Sequence, residues 1–161
     1  GMDLAETDWV IRLDSDEVIG DELRESVLRF LENPDPKVNT VSFRGRHHMF
    51  GFPMHHGVGS PERGWRKHMF RRGTARYPCR SEHEDIDTQP EETRLEGLYE
   101  HYTNHTVEEV VRKFNYYTQR DVERIPDTDL RPIAPWRLLY RAARLFILYY
   151  VQWKGYRDGM L

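Results

Sequence analysis

The stretch Asp8-Trp9-Val10-Ile11-Arg12-Leu13-Asp14-Ser15-Asp16-Glu17 decides the architecture, because a run of β-forming residues stops abruptly at a row of acidic ones. A short apolar run rich in β-branched and aromatic side chains predicts a buried strand over 8–13 that runs into a loop. From Gly20 the periodicity becomes helical. Leu23, Val27, Phe30 and Leu31 share one face, Asp21 and Glu22 suit the positive end of the helix dipole, and Asn33-Pro34 closes the segment. The predicted unit is strand, acidic loop, helix.

Outward from that unit, Val41 and Phe43 alternate with Thr40, Ser42 and Arg44, which predicts a strand over 38–50. Gly51, Pro53, Gly57, Gly59 and Pro61 then break the pattern into a loop. Two further strands are expected over 65–70 and 94–102, with Leu95, Leu98 and Tyr99 as core candidates. Thr106 followed by Glu109 is a capping box, and Val107, Val110, Val111, Phe114 and Tyr117 form the apolar face of a helix that Pro126 stops. A polar linker leads to a last helix over 136–154. The expected fold class is therefore α/β, a mixed sheet with flanking helices and a C-terminal amphipathic helix. Residues 1–125 form the expected main domain, and 126–161 the linker and last helix.

Composition narrows the function classes. With 38% hydrophobic and 12% aromatic residues, the chain is too apolar for disorder. A formal charge of −3 argues against general nucleic-acid binding, which requires a basic excess to neutralise phosphates. The charge is uneven, with a basic stretch from Arg63 to Arg80 beside acid-rich segments at 14–25 and 82–96. Cys79 is the single cysteine, which excludes an internal disulfide and a cysteine zinc cluster and fits a reducing, cytoplasmic compartment. Gly1 before Met2 reads as an expression remnant or a cut from a longer chain.

Two carboxylates at i and i+2 after a buried strand can face one crevice, and hard oxygen ligands of this kind suit Mg2+ or Mn2+ carrying a diphosphate. The competing reading is structural: Asp14 and Asp16 turn the chain and favour the next helix's N-terminus. An EF-hand is excluded, since Val18 and Ile19 stand where that loop needs ligands and its turn glycine.

The segment from Glu6 to Glu17 resembles the "D-W-v-l-x-L-D-A-D-E" core of family 2 glycosyltransferases of the GT-A type, in particular the bacterial envelope group related to lipopolysaccharide core transferases. The resemblance continues through Arg44 to Gly51, His56-Gly57, the strand Arg66 to Gly73, His83-Glu84, and Glu100-His101-Tyr102-Thr103 followed by Lys113 to Tyr117, in order and spacing. Ser15 stands where the family usually has alanine.

The resemblance implies a metal-dependent transfer of sugar from a nucleotide-sugar donor to a cell-envelope glycolipid or glycan. Asp14 and Asp16 would hold the metal–diphosphate. Read from the residues, the basic stretch with Arg71 would meet the diphosphate or an anionic acceptor such as a phosphorylated glycolipid, the competing reading being a solvated strand face, and His101 would be a supplementary metal ligand or a donor to phosphate. Glu84 would be the base that takes the acceptor's proton, with Asp85 as its alternative. The family's nucleotide-binding units would precede Met2, so the resemblance implies a fragment.

A competing reading is a non-catalytic truncated binding or assembly module that retains the acceptor half. Another is a histidine-rich metallohydrolase with zinc drawn from His47, His48, His55, His56, His83, His101 and His105. The last helix, with Arg137, Arg141 and Arg144 on one face among aromatic and aliphatic residues, fits peripheral contact with the inner face of a membrane. It fits equally a cover for the sheet or a homo-oligomer contact.

Overall fold

The computed structural model describes residues 4–61, 64–77, 86–126 and 134–159. These divide into two compact units, one from 1–46 with 61–101 and the other from 47–60 with 102–161. The division does not follow the expected boundary after residue 125. The loop at 55–57 bonds to residues 153 and 158, which places it with the C-terminal segment rather than with the sheet that precedes it.

The first unit is built on a mixed sheet, of which the short β4 and the last residues of β3 fall within 47–60. β1 (Trp9–Ile11), β2 (Glu17–Ile19), β3 (Thr40–Met49), β4 (Phe52–Pro53), β5 (Trp65–Arg71), a two-residue ladder of β6 (Ala75–Arg76) with β7 (Asp87–Thr88), and β8 (Glu92–Tyr102) are the strands in chain order. The main sheet runs β1-β5-β3-β8-β2, with β4 paired to β3. β1 and β3 are antiparallel to β5, and β2 is antiparallel to β8. β3 and β8 run parallel, because their contacts advance together: Asn39 with Glu91, Arg44 with Glu96, Arg46 with Glu100. The expected α/β class with a mixed sheet and flanking helices is what the chain forms.

The short β2 was not anticipated from the sequence, where the acidic loop was expected to lead directly into the helix. Glu17–Ile19 is too brief to show a period, and its place is set by pairing with His101, Glu100 and Tyr99. This pairing has a geometric consequence. β1 and β2 lie at opposite ends of the strand order but are separated in sequence only by residues 12–16. The sheet therefore curls until Glu17 of β2 comes within 3.9 Å of His68 on β5.

α1 (Asp21–Glu32) closes one face of the sheet. Leu23 and Val27 enter a core with Val41, Phe43, Met69 and Tyr99, and Phe30 meets Trp9 edge-on at 5.1 Å. Leu31, expected on the same face, is substantially exposed. The close approach of α1 to the sheet depends on Gly97. Its φ is +97°, and a Cβ there would lie 2.3 Å from the Leu23 nitrogen.

In the second unit, α2 (Val107–Arg124) has the expected capping box. Glu109 N–H donates to Thr106 Oγ1 at 3.2 Å, while the Glu109 carboxylate accepts from His105 N–H at 2.7 Å, one residue before the cap itself. α3 (Pro135–Phe146) continues as a π-helical turn, Ile147–Gln152, in which Trp153 N–H reaches back to Leu148 O at 2.9 Å. Neither α2 nor α3 contains a buried residue.

Candidate active site

The acidic turn is assembled by backbone and side chain together. Glu17 N–H donates to Asp14 O, and Asp14 N–H donates to Glu17 Oε2, both at 3.0 Å, so the four residues 14–17 close on themselves. Glu17 is thereby drawn inward, with a side chain only 4% exposed, while those of Asp14 and Asp16 stay 50% and 38% exposed. The turn sorts its carboxylates, one held inside and two presented outside.

The two outer carboxylates have different partners. Arg12 grips Asp14 through one guanidinium nitrogen, at 3.1 and 3.0 Å to its two oxygens. Asp16 Oδ2 lies 3.3 Å from His101 Nε2, at the end of β8. The structure thus brings His101, expected as a supplementary ligand, to the acidic turn. The register explains the contact: Glu17 pairs directly with His101, which leaves Asp16 beside the imidazole.

Arg71 is not brought there. It pairs with Trp9 at the start of β1, whereas the acidic turn follows that strand's end. Its guanidinium donates to the carbonyls of Val38 and Asp35, both at 3.2 Å, and covers the Trp9 ring at 4.9 Å. Those contacts tie down the loop after α1, since a guanidinium stacked on an indole fixes a neighbouring chain well. Glu84 and Asp85, the candidate bases, and His83 lie outside the described residues.

Beneath the turn is a group that the sequence did not reveal. His68, on β5, has a side chain 2% exposed and is not among the histidines singled out above. Its Nδ1 lies 3.0 Å from Arg12 O, its ring stacks on Phe43 at 5.7 Å, and it meets Tyr99 edge-on at 4.5 Å. Nε2 is buried with no partner among the described residues. Burial pushes the imidazole below its ordinary value, against the opposing pull of the Arg12 carbonyl and the Glu17 charge. Tyr99 is pushed up to about 12, first by burial and then by Glu17. Both groups are held neutral near pH 7. The only sequence signal for His68 was its place next to Met69 and Phe70, and these three are the buried residues of β5.

Among the described residues no group of three His, Cys, Asp or Glu side chains could hold a metal by itself. That bears on the zinc reading, which needs such a cluster. It bears less on magnesium, which commonly takes one or two carboxylates and completes its shell with phosphate oxygens and water.

No family model, curated protein or solved structure matches this chain.

Proposed function

We propose that this chain carries the metal–diphosphate site of a GT-A-type glycosyltransferase. In this reading the enzyme moves a sugar from a nucleotide-sugar donor to a cell-envelope glycolipid or glycan. The observation that supports it most is the sorting of carboxylates within one closed turn, with Asp14 and Asp16 outward and Glu17 inward.

Asp14 and Asp16 would supply two oxygen ligands to a hard divalent cation, with diphosphate and water filling its remaining positions, since these two and His101 do not form a ready-made cluster. When bound, such a cation would neutralise charge developing on a departing nucleoside diphosphate. Arg12 competes for Asp14, so a cation would displace a guanidinium that the diphosphate can then receive. Glu84 remains the residue proposed to take the acceptor's proton.

Mn2+ binding, followed by loss of the free-ion EPR signal and by calorimetry with UDP-, GDP- and dTDP-linked hexoses, tests the proposal. Binding is expected to need both carboxylates, with Asp16→Ala and Asp14→Ala each weakening it by at least about tenfold. Unchanged Mn2+ affinity in Asp16→Ala, with folding intact by circular dichroism, overturns the proposal.

A further inference from the structure

α3 presents an unusual balance of faces. At about 100° per residue, Arg137, Arg141 and Arg144 fall within an arc of about 60°, and Leu138, Leu139, Leu145 and Phe146 occupy the other side of the helix. An amphipathic helix of a globular protein buries the apolar side, and this one does not. Every residue of α3 is exposed, with Leu139 72% and Trp136 62% accessible. A contiguous apolar face of this length left in water marks a surface with a partner.

The charge of the segment identifies the partner's chemistry. Residues 134–159 contain five basic side chains and a single acidic one, Asp158, while the whole chain carries a net −3. Asp158 is already spent, since its carboxylate accepts from His56 Nδ1 at 2.9 Å and from the backbone N–H groups of His55 and His56. A second copy meeting this face across a two-fold axis would place arginines near arginines. An anionic surface has no such conflict. The exposed aromatic residues agree: Trp136 and Tyr140 are the kind of side chain that settles at the boundary between headgroups and hydrocarbon. No helix among the described residues is long and apolar enough to cross a membrane, so contact would be in the plane of the surface.

We propose that α3 and its π-helical continuation dock on an anionic lipid bilayer. The apolar face enters the acyl boundary, and Arg137, Arg141 and Arg144 meet lipid phosphates. This surface stands independently of the metal site, because none of its residues belongs to the acidic turn.

Flotation of the chain with phosphatidylcholine vesicles, with and without phosphatidylglycerol, at low and high salt, is the test, with sedimentation run in parallel. The chain is expected to float with anionic vesicles at low salt and to be released by high salt. Replacing all three arginines by glutamine (Arg137→Gln, Arg141→Gln, Arg144→Gln) is expected to weaken binding by roughly two orders of magnitude, from the usual contribution of each basic residue at an anionic surface. Leu139→Asp is expected to weaken it as well, with helix content and Mn2+ affinity unchanged. The proposal is overturned by failure to float with anionic vesicles at low salt, or by equal binding to neutral ones. It is equally overturned by a dimer in sedimentation that Leu139→Asp dissociates while lipid binding is absent.

Discussion

The two units of this chain use apolar residues in opposite ways. In the unit of 1–46 and 61–101, Leu23, Val27, Val41, Phe43, Met69, Phe70, Ile86 and Tyr99 are all buried. In the unit of 47–60 and 102–161, no large hydrophobic side chain among the described residues reaches that state, and the apolar faces of α2 and α3 stand open. The same sequence signal, an apolar stripe at helical spacing, therefore has two physical outcomes. In α1 it is answered by a sheet whose residues alternate towards it. In α2 and α3 most of the stripe stays exposed, and α2 is supported by the Thr106 cap and the Gln119–Glu123 pair, which contribute only tenths of a kcal/mol to about 1 kcal/mol each.

The sharpest way to break this contrast is to remove one phenylalanine from each unit. Phe43 is fully buried, and Phe43→Ala is expected to cost about 3–5 kcal/mol, counting both lost transfer energy and the cavity left behind. Phe114 is 67% exposed, and Phe114→Ala is expected to change stability by no more than about 0.5 kcal/mol. Urea unfolding followed by circular dichroism and by tryptophan fluorescence, to which Trp9 and Trp65 contribute in the first unit and Trp136 and Trp153 in the second, measures both. Equal costs would mean that α2 is covered in solution and that the contrast between the units is wrong.

This contrast also explains which features were legible in the sequence. β1, α1, β3, β5, β8 and α2 were readable because each carries its own period or cap, and their observed bounds differ from the expected ones by one or two residues. β2 and the β6–β7 ladder were not readable, since strands of two or three residues have no period and exist through their partners. For the site, Asp14, Asp16 and His101 were legible as residue types, but their juxtaposition depends on the β2–β8 register. Arg71 shows the limit of reading charge alone. Its place in a basic stretch suggested an anion, whereas its guanidinium bonds to two carbonyls and covers an indole face. His68 was hidden for the opposite reason, because a histidine between lysine and methionine looks like a surface residue until the strand is known to be interior.

Burial of His68 sharpens the comparison with a pH experiment. Its folded value lies below the unfolded one, so between the two the unfolded chain binds the extra proton. Stability associated with neutral His68 is fully present above about pH 6.5 and falls as pH drops below that value towards the folded one. Chemical denaturation of the wild-type chain is expected to show this loss on acidification, and His68→Phe, which keeps a ring against Phe43, is expected to flatten it. A wild-type profile that stays level from neutral pH down to about pH 5 would show that the imidazole is not held in a desolvated site.

A further expected effect belongs to the second unit, where a polar clasp takes the place of a core. Asp158 receives three hydrogen bonds from His55 and His56, and Gly57 N–H donates to Trp153 O at 2.8 Å, so that loop 55–57 is fastened to the chain's C-terminal turns. Burial works against the Asp158 charge, but the His56 ring and the two backbone donors outweigh it and hold the carboxyl below its ordinary value. A depressed carboxyl contributes stability that is present above the unfolded value, near 3.9, and is lost as pH falls through the folded one. Acid is therefore expected to open this clasp only below about pH 4. Asp158→Asn keeps the shape but weakens charge-assisted bonds near the surface, and a cost on the order of 1 kcal/mol follows once solvent screening is allowed for. Amide exchange at His55, His56 and Gly57 reads this directly, with faster exchange expected in Asp158→Asn and no change at Val41 or Phe43. Faster exchange at the β3 amides as well would mean that the two units open together and that the polar clasp and the apolar core belong to one cooperative structure.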